Sequence, residues 1–525
     1  IIRREIGDRS GEGTTLNNIG GVYDALSQYE QALSYYQDAL VILQEIGDRN
    51  GEGATRHNIG AVYRALGQYE EALRYYQDAL AIRQEIGARS GEGSTLNSIG
   101  LAYSDLGQYE QALSYLQDAL AIRREIGDRS GEGGSLNNIA EIYRNLEQYE
   151  QALIYFQDAL VILQEIGNRS GEGTTLNNIG AVYNNLGQYE EALSYYQDAL
   201  AIRQAIGDRS GRAGTLNNIG YTFDALDTPE LAIIFLKQSV NQYEEIRGDI
   251  QGLATADQQA FTDSIAGSYR KLADLLLAQD RVLEAQRVLD LLKVQELDEY
   301  LDNVRATAQT ASGVVYLRPE QAILDRYRDL QASAIALGQE LAALNAKKTA
   351  GQITAPEEQR RLQLEALRGE LAAQFNGFID DPDVVALLDQ LDRQVLRQTV
   401  DLEELAALRN NLADLNAVLF YPLILEDRIE LVITTAATEP LRRTVEGVGR
   451  EQLNAAITEF RQALQNPAAD AESPAQQLYR WLVEPLEADL AAAGVDTIIY
   501  APDGALRYIP LAALHDGQGW LTQRF

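Results

Sequence analysis

The chain has 525 residues, 46% hydrophobic and 23% charged, the proportions of a folded protein with room for two or three domains. A formal net charge of −34 excludes the basic footprint that a nucleic-acid backbone or an acidic lipid surface requires, and attracts basic peptides instead. Cysteine is absent and histidine occurs only at His57 and His515, so disulfides, thiolate nucleophiles and multi-histidine zinc sites have no residues to use.

In chain order, IIRREIGDRS at positions 1–10 nearly repeats Ala121–Ser130 and predicts the tail of an earlier helix. Together with the lack of methionine and the stop at Trp520–Phe525, it suggests a piece of a longer chain. Residues 11–47 read GEGTTLNNIGGVYDALSQYEQALSYYQDALVILQEIG, and the wording returns at Gly51, Gly91, Gly131 and Gly171, and in altered form at Gly211, 40 residues apart each time. A fixed period of that size predicts a solenoid. Leu16, Ile19, Gly20 and Tyr23 fall at helical spacing, as do Tyr29, Ala32, Tyr36, Ala39 and Leu40. Each unit is therefore two amphipathic helices broken near Leu26–Gln28, with Gly67, Gly107 and Gly187 at the later breaks to end the first helix in the left-handed region. Such a hairpin cannot bury its apolar face alone, so the units must stack. The sixth unit keeps Leu216–Gly220 and then diverges, with Pro229 placed to start its second helix. Leu253–Gln279 and Arg281–Tyr300 read as a seventh, terminal pair.

Asp302–Ser312 reads as the end of the array. An apolar stripe through Ile323, Leu324, Tyr327, Leu330, Ile335, Leu337, Leu341 and Leu344 predicts a long helix over 319–345. Thr354-Ala355-Pro356-Glu357 opens its antiparallel partner, which runs to about Gln374. Shorter helices are expected at 383–396 and 401–411. Ala417–Leu425 and Arg428–Thr434 then read as a β-hairpin around Glu426-Asp427, and Leu441–Val445 as a third strand. Helices over Arg450–Leu464 and Ala475–Ala492 lead to a buried parallel strand at Thr497–Ala501. This alternation predicts the opening of an α/β domain. The resulting division is 1–250, 251–311, 312–411 and 412–525. The longest apolar run, Ala417–Leu425, is too short to span a membrane and no leader opens the chain, so a cytoplasmic protein is expected.

The order L-x2-I-G-x2-Y-x5-Y-x2-A-x3-Y-x2-A resembles the tetratricopeptide repeat, lengthened to 40 residues by a second helix that ends at Gly47 and its equivalents. The T-L-N-N-I-G wording resembles the subgroup of kinesin light chains and peptide-binding polarity adaptors. By helical spacing the first helix offers Thr14, Asn17, Asn18, Gly21 and Asp24 to the concave side. Asparagine recurs there as Asn58, Asn97, Asn137, Asn138, Asn177, Asn178, Asn217 and Asn218. Side-chain amides in register can donate to and accept from an extended peptide, and the resemblance implies that these ten asparagines contact it. The alternative is that they bridge neighbouring units. Asp24, Arg64, Ser104, Arg144, Asn184 and Asp224, which vary, would set specificity.

From Asp414 onward, Leu419-Phe420-Tyr421, Leu482-Val483-Glu484-Pro485-Leu486 and above all the PDGxLxxIPxxAL block of Pro502–Leu514 resemble the start of a CHAT domain, the caspase-like module found behind such repeats. The resemblance implies a His/Cys dyad, but no cysteine is present and His515 precedes the dyad region, so no catalytic residue is assigned. The fold class is thus mainly α: a right-handed tetratricopeptide solenoid, a helical hairpin, then the start of a caspase-like α/β domain. The function implied is a peptide or protein receptor that recruits or regulates the caspase-like domain, in a pairing that looks bacterial. Two alternatives are a cysteine endopeptidase localised by its repeats and a self-associating scaffold. No cofactor or metal, nucleic acid or membrane is called for, and the oligomeric state is open.

Overall fold

The computed structural model describes residues 7–521 apart from 27, 251–254, 283, 286, 290, 293–312, 396–408, 426, 438–439, 466–468, 501, 503–505 and 507–508. The expected end of the array at 302–312, most of the helix expected at 401–411 and part of the Pro502–Leu514 block lie outside the described residues. The chain divides into two compact units, Ile1–Ile265 with Val315–Leu388, and Ala266–Val314 with Asp389–Phe525. Among the described residues no helix is long and apolar enough to cross a membrane.

The first unit holds six helical pairs: α1 Arg9–Ala25 and α2 Tyr29–Glu45, α3 Arg49–Ala65 and α4 Tyr69–Glu85, α5 Arg89–Asp105 and α6 Tyr109–Glu125, α7 Arg129–Asn145 and α8 Tyr149–Glu165, α9 Arg169–Asn185 and α10 Tyr189–Ala205, α11 Arg209–Ala225 and α12 Pro229–Ile250. Five first helices open on an aspartate or asparagine (Asp8, Asp48, Asp128, Asn168, Asp208) whose side chain accepts the N–H three residues on, satisfying a donor the helix leaves unpaired. The breaks at Gly67, Gly107 and Gly187 have φ near +70° as expected, and Glu147 and Asp227 take the same conformation without glycine's freedom. Within each unit a tyrosine or phenylalanine of the first helix stacks on one of the second, from Tyr23 on Tyr35 at 5.2 Å to Phe223 on Phe235 at 5.1 Å.

The two helices of a unit meet most closely at Gly20 and its equivalents. A Cβ at Gly60 would stand 2.8 Å from the Tyr76 ring and 3.2 Å from the Ala72 carbonyl oxygen. Unit four places Ala140 at this position opposite Phe156, both fully buried, so the ring can be reseated. Gly60→Ala should therefore lower unfolding free energy in urea by about 1 kcal/mol, overpacking being offset by alanine's better helix propensity.

Helices α13 (Thr255–Ala278), α14 (Arg318–Thr349), α15 (Ala355–Asn376) and α16 (Pro382–Val395) follow. The predicted hairpin is α14 against α15, closed over Leu337, Leu341, Leu344 and Leu364. Its second helix opens on the Thr354/Glu357 capping box. The hairpin packs on the repeats: α10 touches both of its helices. Tyr327, fully buried, meets Phe235, Phe375 and Phe378 edge-on at 4.7–5.5 Å.

In the second unit, β1 (Ala417–Ile424), β2 (Arg428–Thr434), β3 (Leu441–Glu446) and β4 (Thr497–Tyr500) form a sheet ordered β3-β2-β1-β4. β1 and β2 pair antiparallel with Tyr421 opposite Val432, and β1 and β4 run parallel with Leu419 beside Ile499. Phe420, Ile429, Leu431 and Ile433 pack with Leu453 and Phe460 of α17 (Arg450–Gln465) and Leu478 of α18 (Glu472–Leu482). The helix expected through Ala492 instead breaks at Val483–Leu486, where Pro485 denies an N–H, and resumes as α19 (Glu487–Ala493). β4 was expected buried but is half exposed, because it lies at the sheet edge. Glu430, 2% exposed, is held by Arg428 and Thr444, and Arg428 also binds Asp274 of α13. His515 accepts the Gly517 N–H at 3.0 Å and meets Trp520 edge-on, a turn role.

Candidate binding surface

First helices of successive units touch one another directly: α1 with α3, α3 with α5, α5 with α7, α7 with α9 and α9 with α11. Neighbouring second helices make no comparable contact, so the array curves with its first helices on the inside. The asparagines lie on that face. Asn17, Asn58, Asn97, Asn137, Asn138, Asn177, Asn178, Asn217 and Asn218 are half-buried and Asn18 is exposed.

A second polar row explains their order. Thr55, Thr95, Ser135, Thr175 and Thr215 are fully buried, each at a unit-to-unit junction. The Thr55 hydroxyl donates to Asn17 Oδ1 at 2.9 Å, Ser135 to Asn97 at 3.3 Å, Thr175 to Asn137 at 3.0 Å and Thr215 to Asn177 at 3.1 Å. Asn58, Asn138 and Asn218 reach back and donate to the same oxygens of Asn17, Asn97 and Asn177 at 3.0–3.3 Å. These rungs leave the oxygens of Asn17, Asn97 and Asn177 doubly engaged and that of Asn137 engaged by Thr175, and they fix the amide orientation. The Nδ2 groups of Asn17 and Asn97 are not spent in them, so what the ladder still offers is N–H donors. At the last rung Asn217 Oδ1 is buried with no hydrogen-bond partner among the described residues.

His57 occupies the rung position of unit two, with Nδ1 3.4 Å from Thr95 Oγ1 and its ring 5.3 Å from Tyr76. Burial, then the nearby Arg83 guanidinium, push its pKa down to about 4. Arg83, Arg123 and Arg203 brace the same junctions, each donating to the next unit's Gly91, Gly131 or Gly211 carbonyl and to the threonine or serine of its rung. Burial lowers the pKa of all three.

Among the variable positions, Arg64 pairs with Asp105 of the next unit at 2.5 Å, Arg144 with Glu141 at 2.7 Å, and Asn184 accepts from Thr222 at 2.9 Å. The two cations on this face are thus matched by carboxylates. Asp24 is half-buried, and desolvation raises its pKa. Sequence reasoning missed the buried threonines. Their signal was a hydroxyl residue every 40 positions, two residues before the asparagine pair on the same helix.

The tetratricopeptide repeat family matches the chain at residues 11–85, 51–125, 91–165, 131–205 and 171–245, and the CHAT domain family at 472–525. No curated protein matches it. Among solved structures, BtubC (BKLC) from P. vanneervenii is 19% identical over 42% of this chain and 91% of that one, with a TM-score of 0.37. Aspartyl phosphate phosphatase F from Bacillus subtilis is 18% identical over 60% and 76%, with a TM-score of 0.42. A Podosopora anserina putative kinesin light chain with nearly identical TPR-like repeats is 18% identical over 36% and 94%, with a TM-score of 0.32.

Proposed function

The chain is a tetratricopeptide-repeat protein with a CHAT-domain segment behind its array, and from that premise we propose that the array captures a protein for the C-terminal segment. A repeat array of this kind is a protein–protein interaction module. In this reading residues 1–250 bind the partner, 251–311 and 312–411 connect, and 412–525 is the segment recruited to the partner or regulated on it. The observation that carries it is the ladder of half-buried amides, whose oxygens are consumed between units while the N–H groups of Asn17 and Asn97 remain to receive the carbonyl oxygens of an extended peptide. The net charge of −34 and the carboxylate-matched arginines favour a neutral or basic partner. Peptide hydrolysis by a thiolate is not assigned to these 525 residues, which contain no cysteine.

Asparagine-to-aspartate changes separate binding from scaffolding, because the carboxylate keeps the acceptor and removes the donor. Asn97→Ala should lower stability by about 1–3 kcal/mol, since Ser135 and Asn138 lose their acceptor. Asn17→Asp/Asn97→Asp should leave the melting temperature within a few degrees and abolish capture of peptides on an array probed with the chain. Capture unchanged in that double variant, or in a chain lacking residues 11–250, would falsify the proposal.

A further inference from the structure

Where the hairpin lies over the second helices of units four and five, it does not close. A cavity of about 620 Å³ remains, within the range that holds small organic ligands. Its hairpin wall is α14, which turns small residues to it at every fourth position: Ala334, Gly338, Ala342, Ala346 and Ala350. A Cβ at Gly338 would meet nothing within 4 Å. Glycine inside a helix weakens it by about 1 kcal/mol relative to alanine, and here no close approach of another backbone requires it. Leu160, Leu176, Ile202 and Phe375 supply the apolar walls.

Five charged side chains line the same space; Glu172 is paired with Arg169 and Glu165 with Arg129, which leaves two opposite charges, Asp198 of α10 and Arg368 of α15. They act on one another through space, yet they form no direct ion pair, and neither has a hydrogen-bond partner among the described residues. The equivalent aspartates Asp38, Asp118 and Asp158 are exposed. Only in unit five does a roof turn this carboxylate into a cavity group, and desolvation there raises its pKa.

We propose that the cavity binds a small zwitterion with an apolar body, an apolar amino acid or short peptide, with its ammonium on Asp198 and its carboxylate on Arg368. An acid and a base that make no direct ion pair with each other, set among apolar walls, suit a molecule carrying both charges and a hydrocarbon middle. A simple lipid tail would leave both side chains unpaired. This site lies away from the asparagine face and is independent of the partner proposed there.

The test is calorimetric titration of the 525-residue chain with trileucine, N-acetyl-trileucine and trileucine amide. Trileucine should bind saturably at one site, and each capped form should bind at least about tenfold more weakly, the loss of one charge-assisted contact. Asp198→Asn should remove the discrimination against the acetylated form, and Arg368→Gln that against the amide. Gly338→Leu should fill the void and abolish binding, with peptide capture on the asparagine face unchanged. If Gly338→Leu lowers the melting temperature, the isosteric Asp198→Asn carries the result. No saturable binding, equal affinity for capped and free peptide, or affinities untouched by Asp198→Asn and Arg368→Gln would each overturn the proposal.

Discussion

Lys237→Met should destabilise the first unit by about 3–5 kcal/mol, the cost of leaving one member of a buried ion pair without the other. The Lys237 ammonium is fully buried and donates to Glu320 at 2.8 Å and to the Val315 carbonyl at 3.1 Å. Glu320, equally buried, also accepts the Leu317 N–H at 2.7 Å and so caps α14 where the chain returns to the repeats. Methionine fills the lysine's volume but leaves that buried carboxylate without its cation. Adding Glu320→Leu removes the second charge, and the double variant should regain at least half of the loss. Urea unfolding of the three proteins measures this. A single variant within 1 kcal/mol of the parent would show that the hairpin is not latched by this pair. Because the same hairpin roofs the cavity, Lys237→Met should also weaken trileucine binding.

That latch marks a limit of what the letters could show. The six pairs, their caps and the glycine breaks follow from a local period, and each recurs often enough to be read from one chain. The sixth second helix also announced itself as different: Leu231 stands where other units have Gln or Glu, Ile234 mostly where they have Ser or Arg, and Lys237 where they have Gln. Such outward apolar positions say that something covers the helix. They do not say what, because Lys237 and Glu320 are 83 residues apart and no local pattern links them. The asparagine face shows the same division. Its position was legible from helical spacing, but the spending of its oxygens was not, since a threonine in a helix reads equally as a solvent residue or a back-bonded one. At the other end, β1 to β3 were legible from β-branched runs, whereas the exposure of β4 depends on its place at the edge, which is a property of the whole sheet.

Acidification should weaken the array through one residue. His57 titrates near pH 4 in the folded chain, held down first by burial and then by Arg83, and near 6.5 when unfolded. Above pH 6.5 both states carry neutral imidazole and the contribution is complete. As pH falls from 6.5 to 4 the unfolded chain takes up a proton that the folded one refuses, so stability declines across that window by up to about 3 kcal/mol. The loss falls at the junction of units two and three, where an imidazolium would face Arg83 across the Thr95 rung. His57→Asn restores the residue that Asn17, Asn97 and Asn137 already supply, and an amide does not titrate. The difference in unfolding free energy between parent and variant should therefore be flat above pH 6.5 and grow in favour of the variant toward pH 4. The carboxylates common to both proteins cancel in that difference. Parallel curves down to pH 4.5 would mean that water reaches the imidazole freely and that the rung does not depend on its charge.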